Sequence, residues 1–232
     1  MNKKKYLFLA ILPTLLCSLI FTSCTSSSSF NANSILNKAE VNLRSAKSVE
    51  FQISSSNTSG SGPYIISGNG VAIAPEGFGG TFQIMLSGFP VSVKVVSVAN
   101  KFYIQLPFLN NYEVVNPNEY NFGNSAQLLN NNTGLAGIIK DPIKIINKGQ
   151  SLDGNEVLDL VELEVPGKKV SQLLMDNFSS QPVNVLLGIT THSYIIRTVE
   201  ITAHFFTNSQ YATYYIVLEG YNSTVKLPNV GS

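Results

Sequence analysis

Cysteine is nearly missing from this chain of 232 residues: Cys17 and Cys24 are the only two, both close to its start. Neither a disulfide framework nor a cysteine metal site is therefore available to the remainder, and stability must come from packing. Histidine is just as scarce. His192 and His204 stand alone, outside any His-Glu-x-x-His or comparable metal spacing. Charged residues make up 12% of the chain, against about 25% in ordinary soluble domains. With a net charge of +1 and scattered lysines, there is no basic stripe to follow the phosphates of a nucleic acid. A Gly-x-Ser-x-Gly elbow is also absent, which leaves an acyl hydrolase without its usual nucleophile.

What the sequence does contain begins at its N-terminus. Lys3-Lys4-Lys5 precede an apolar stretch from Leu7 to Phe21, which closes on Thr22-Ser23-Cys24. A charged start, an apolar middle and small residues before a cysteine form an export signal of the lipoprotein kind. The apolar stretch is shorter than the roughly 20 residues of a spanning helix, and Pro13 interrupts it. Phe21 fills a position where the lipobox prefers an aliphatic residue, while the bulky Leu16 disqualifies Cys17. Cleavage before Cys24 would leave 209 of the 232 residues, enough for one sizeable domain. The expected division is a signal peptide over 1–23, lipidated Cys24 with a Ser-rich tether over 24–33, and a single domain over 34–232. Two acyl chains on Cys24 would hold that domain on the extracytoplasmic face of the cell membrane far longer than one.

Past the tether, Ile35, Leu36, Ala39, Leu43 and Ala46 recur at helical spacing, with Asn33 or Ser34 as the cap and Glu40 facing Arg44. After Ser48 the period changes to two. Val49, Phe51 and Ile53 alternate with Glu50, Gln52 and Ser54, as in a strand with one dry face. Gly and Pro then divide the chain at Gly60 to Pro63, Gly68 to Gly70, Pro75 to Gly80 and Gly88 to Pro90. Strands are predicted at 64–67, 71–74, 81–87, 91–98, 101–106, 143–148, 156–165, 183–188, 195–206 and 211–218. About ten antiparallel strands make a wide sheet that tends to curl. Helical stretches are predicted at 125–129, 135–139 and 168–178, the last with Val170, Leu173, Leu174 and Phe178 on one stripe. The fold class is α+β: a curved antiparallel sheet with several helices over one face, a cup with a lid.

The segment Phe122-Gly123-Asn124-Ser125-Ala126-Gln127-Leu128-Leu129-Asn130-Asn131-Asn132-Thr133-Gly134-Leu135-Ala136 resembles a signature of the LppX/LprAFG lipoproteins of actinobacteria. In step with it are Lys47-Ser48 after the first helix, the hairpin from Gly80 to Tyr103, Asp153-Gly154, Gln181-Pro182-Val183 and the closing Lys226-Leu227-Pro228. The resemblance covers essentially the whole chain after Cys24. It implies a U-shaped half-barrel whose helices pack on the concave side around an apolar cavity for acyl chains. It also implies an envelope carrier of acylated lipids or glycolipids, with the position of Phe82 on the cavity wall. An Asn- and Ser-rich surface and the lack of tryptophan are departures.

The remaining candidates for chemistry read as structure. Glu162 and Glu164 share a face of one strand and mark its wet side rather than an acid–base pair. His204 falls on the face opposite Val199, Ile201 and Phe205 and is expected to meet solvent. Gly68-Asn69-Gly70 and Gly77 to Gly80 open no helix and are read as turns. Sequons at Asn57, Asn131 and Asn222 are read as chance in an Asn-rich chain. No catalytic residue, metal or cofactor is expected. The cavity lining expected of a carrier is Phe51, Ile53, Phe82, Ile84, Leu86, Val91, Val93 and Val95 from the sheet. The helices would add Leu128, Leu129, Leu135, Ile138, Ile139, Leu173 and Leu174. The same apolar faces also fit a closed core, so two rivals stay open: an accessory or sensor working with a lipid transporter, and a structural or adhesive surface lipoprotein.

Overall fold

The computed structural model describes residues 30–59, 62–75, 77–98, 101–120, 125–171, 173, 181–207 and 210–230. The expected signal segment, Cys24, most of the expected tether, Leu174 and Phe178 lie outside the described residues. The first helix, α1, spans Ala32–Ser45, and its cap is Asn31, whose side chain accepts the Ser34 amide at 3.1 Å. The expected cap at Asn33 or Ser34 is thus corrected by two or three residues. Asn31 is extended, its side chain satisfies an amide the helix leaves open, and both are properties of an N-cap. The predicted Glu40 and Arg44 pair closes at 2.8 Å.

Eleven strands follow: β1 Ser48–Ser56, β2 Tyr64–Ile73, β3 Gly77–Leu86, β4 Phe89–Val98, β5 Lys101–Gln105, β6 Glu113–Val114, β7 Lys144–Asp153, β8 Glu156–Pro166, β9 Pro182–Thr190, β10 Ile196–Thr207 and β11 Gln210–Glu219. They form one open antiparallel sheet in the order β6-β5-β4-β3-β2-β1-β11-β10-β9-β8-β7. Every pair but one joins consecutive strands, and β1 against β11 joins the two runs. Between β6 and β7 lie a 3-10 turn at Ser125–Gln127 and the helix α2 at Leu135–Ile139, and α3 occupies Gly167–Ser171 between β8 and β9.

Two sequence expectations fail for one reason. Gly68 to Gly70 is the middle of β2, so the strands expected at 64–67 and 71–74 are a single strand, and Gly77 to Gly80 opens β3. Both glycine groups are paired in register: Gly68 faces Phe82 and Gly70 faces Gly80. A side chain on Gly70 would press on the Gly79 carbonyl and come within 2.8 Å of the Phe51 ring. Glycine here makes room for a neighbouring ring; it does not turn the chain. The hairpin turn between β3 and β4 is Ser87-Gly88, both at positive φ, instead of Gly88-Phe89-Pro90. Two residues in that conformation match the twist of the strands they join.

The helices lie on one face of the sheet and reach both of its wings. The turn at Ser125–Gln127 meets β3 and β4, α1 meets β7 and α2, α2 meets β8, and α3 meets β8 and β9. On a flat sheet, β3 and β8 would stand about 29 Å apart at the usual strand spacing. A thin layer of short helices touches both because the sheet curves toward it.

Candidate functional site

The helix-covered face collects the apolar residues singled out from the sequence. Phe51, Ile53, Phe82, Ile84, Val93 and Val95 from the sheet join Leu128, Leu129, Leu135, Ile138, Ile139 and Leu173 in one buried cluster. Val91 packs against its edge, and Leu86 is half-buried at the end of β3. Their strand positions alternate, so one period-two pattern carries them all to the same side. Leu174 is outside the described residues.

Rings and missing side chains shape one half of this face. Phe51, Phe78 and Phe82 stack with centroids 5.2, 5.7 and 6.1 Å apart. Each lies in a row with a small residue: Phe51 beside Gly70, Phe82 beside Gly68, Phe78 beside Ala72. A Cβ on Gly68 would run into the Phe82 ring itself. The rings lie across bare backbone, and offset stacking holds them to one another.

Opposite the sheet, residues 125–139 fold into a tight knot. Asn130 accepts the amides of Asn132 and Thr133 on its side-chain oxygen at 2.9 and 3.2 Å, and the Leu135 amide donates to the Leu128 carbonyl at 3.0 Å. Thr133 donates its hydroxyl to the Gln127 side chain. Gly134 cannot carry a side chain, because a Cβ there would overlap the carbonyl oxygens of Gln127 and Leu128. Every residue of α2 is buried. Lys169 of α3 donates to the Lys140 carbonyl at the end of α2, and burial lowers its pKa while Asp141 opposes that shift.

The polar candidates separate cleanly from this face. Glu162 and Glu164 are partly exposed on the other side of β8, where Glu162 meets Lys148 at 3.5 Å. His192 sits in the turn after β9, its Nδ1 2.9 Å from the Thr191 hydroxyl. His204 departs from expectation: it does lie opposite Ile201 and Phe205, yet Tyr211 covers it with ring centroids 3.8 Å apart. Its Nδ1 is enclosed without a hydrogen bond among the described residues. Among the described residues no cluster of three or more His, Cys, Asp or Glu side chains could hold a metal.

Two features escaped the sequence pattern. Asp159 is buried on the helix-covered face of β8, in register with Ile189, where Gln150 donates to it at 2.7 Å. A groove of about 540 Å³ crosses the open face between Gln52, Ser54, Ser67, Asn69, Thr81 and Tyr215. Alternating polar residues mark any wet strand face, so nothing in the sequence separates this groove from ordinary surface.

Comparison with known proteins places this architecture. The fold matches LprF from Mycobacterium bovis with a TM-score of 0.69 at 14% identity, over 87% of this chain and 97% of that one. It matches the lipoprotein LppX of Mycobacterium tuberculosis with a TM-score of 0.62 at 11% identity, over 85% of this chain and all of that one. At such identities the likeness is one of fold. None of the curated proteins matches the sequence. The family model described as LppX_LprAFG lipoprotein matches residues 31–226, from the helix cap to the tail beyond the last strand, and the chain belongs to that family.

Proposed function

We propose that this protein is a membrane-anchored lipoprotein that binds acylated lipids or glycolipids between its sheet and its helices and carries them across the cell envelope. The observation that supports this best is the family match over 31–226 combined with one continuous apolar face spanning both wings of the sheet and the helix layer. Residues 34–232 form the single carrier domain. Cys24 anchors it through a diacylglyceryl thioether at the extracytoplasmic face, and residues 24–33 serve as tether.

Carriage needs no catalysis and no cofactor. A membrane lipid already has dry chains, so a pocket about as apolar as the bilayer exchanges it at small net cost. Burial from water would by contrast contribute about 0.8 kcal/mol per methylene. The cargo space opens when the knot at 125–139, which meets β3 and β4, lifts from the wing that carries the phenylalanine stack, whose rings border glycine and alanine and can turn without moving the strands.

Extraction and mass spectrometry of lipids that co-purify with the protein, isolated from the envelope of its own host, tests this reading. An acylated lipid in near-stoichiometric amount is the expected result. An extract no richer than a protein-free blank would leave the structural or adhesive reading in its place.

A further inference from the structure

The two ends of the sheet differ in a way the carrier reading does not use. Strands alternate in direction, so the β3–β4 turn and the loop after β5 point toward one end, the latter from a strand that stops opposite Lys94, five residues below Phe89, while the β7–β8 turn emerges at the other. At the first end Phe89 is 72% exposed and Phe108 fully exposed, with Leu109 beside it. Phe108 is held at φ +72°, a conformation that bulky residues rarely adopt and that costs energy to maintain. The loop is nevertheless built in, since the Leu109 carbonyl accepts the Gln105 side chain at 3.0 Å and its amide donates to Leu106 at 3.2 Å. The chain spends strain to aim an aromatic ring at water, and no charged residue occurs in 87–93 or 105–112.

The other wing of that same end is net basic, with Lys140, Lys144, Lys168 and Lys169 against Asp141 and Glu164. Lys140 and Lys144 flank the entry to β7, and Lys168 opens α3 just past the end of β8; all three are exposed. At the opposite end of the molecule Arg197 is instead matched by Asp153 at 3.4 Å and Glu219 at 3.0 Å. The anchor also points to the first end. Asn147, three residues into β7, donates to the Phe30 carbonyl at 3.1 Å, which places the start of the described chain about 10 Å from that end. Six Cα steps from Phe30 back to Cys24 reach about 20 Å at most.

We infer that this end of the half-barrel docks on an anionic lipid bilayer, with Phe89 and Phe108 entering the interface and Lys140, Lys144 and Lys168 meeting headgroups. Phe89 shares its strand face with Val91, Val93 and Val95, so the docked rim runs without a break into the apolar face where cargo is proposed to bind. The inference rests on anchorage at Cys24, and its test reads docking independently of cargo.

The chain has no tryptophan, so a single one reports its own surroundings. Full-length protein carrying Phe108→Trp, and separately Leu152→Trp at the opposite end (75% exposed), is reconstituted in phosphatidylcholine–phosphatidylglycerol vesicles with brominated acyl chains. Trp at 108 should shift its emission to the blue and be quenched, and Trp at 152 should do neither. Phe89→Ser with Phe108→Ser should weaken partition of unanchored protein onto the same vesicles by about tenfold per ring, and raised salt should weaken it further. Unquenched Trp at 108, equal quenching at both ends, or a rim covered by a second copy of the chain in sedimentation would each overturn the inference. Lipid extraction can fail while quenching succeeds, and the reverse, so the two proposals fall separately.

Discussion

On β1 to β4 the helix-covered face sets phenylalanine beside glycine or alanine, so that Phe51, Phe78 and Phe82 stack over Gly68, Gly70 and Ala72. On β8 to β11 the same face is mostly aliphatic, with Val161, Leu187, Val199 and Ile216 in register across four strands and Leu163, Val185 and Ile201 alongside; the exceptions are Asp159 on β8 and the Phe205 and Tyr214 pair on β10 and β11. Branched side chains of equal height interlock and resist change of volume. Rings over bare backbone keep their place through one another. The aliphatic wing is a wall, and under the proposed carrier function the aromatic wing is where space for a ligand would open without bending a strand.

The largest effects should separate these wings. Phe82→Ala removes one of the three stacked rings and should cost about 3–5 kcal/mol in denaturant unfolding. Phe82→Trp should stay folded and carry less lipid in the extraction assay; full loading would take Phe82 out of the proposed wall. Leu187→Ala should destabilise by about 2–5 kcal/mol with unchanged lipid per folded molecule. Equal loss of lipid in both alanine variants would erase the distinction between the wings. Gly70→Ala should cost about 1–3 kcal/mol, because the new methyl meets the Gly79 carbonyl, a backbone atom that cannot swing aside.

How much of this could be read from the sequence follows the same division. Val49, Phe51 and Ile53 announced β1 through alternation alone, and most other strands were placed within a few residues. The aromatic wing was misread at its glycines, since Gly68-Asn69-Gly70 reads as a turn unless the ring that needs the vacancy is known to lie across the strand. That ring belongs to Phe82, on another strand. The brief edge strand β6 was missed because two residues carry no period. The family signature around Gly134 was legible as a motif, but the reason for its glycine, two carbonyls crowding one Cα, exists only in the folded loop. His204 was placed on the correct face, and its cover by Tyr211 lay beyond a pattern that treats each strand separately.

A pH dependence distinguishes the wings next. Burial raises the pKa of Tyr214, which packs edge-on against Phe205 at 4.9 Å, and that of Tyr221, whose hydroxyl donates to the Ile196 carbonyl at 2.7 Å. Both phenols are thus harder to ionise folded than unfolded. Their contribution to stability is complete below the unfolded tyrosine value of about 10 and is lost as pH rises from there toward the folded value. Unfolding midpoints measured between pH 8 and 11 should fall at the alkaline end, and less steeply in Tyr214→Phe. An identical fall in that variant would assign the effect to other groups.

The smallest expected effect lies at the charged end of the aliphatic wing. Arg197 bridges Asp153 at 3.4 Å and Glu219 at 3.0 Å, with all three side chains partly open to solvent. It also donates to the Leu218 carbonyl at 3.3 Å, so the side chain is fixed by two other strands at once, β7 and β11. Water and salt screen such pairs, and exposed ones contribute about 0–1 kcal/mol. Arg197→Ala should therefore cost at most about 1 kcal/mol in low salt, and the difference from the parent should shrink as sodium chloride is raised. A larger, salt-insensitive loss would mean that the arginine acts through its packing and its bond to the Leu218 carbonyl. The aliphatic wing would then depend on this strap across its end as well as on its interlocked rows.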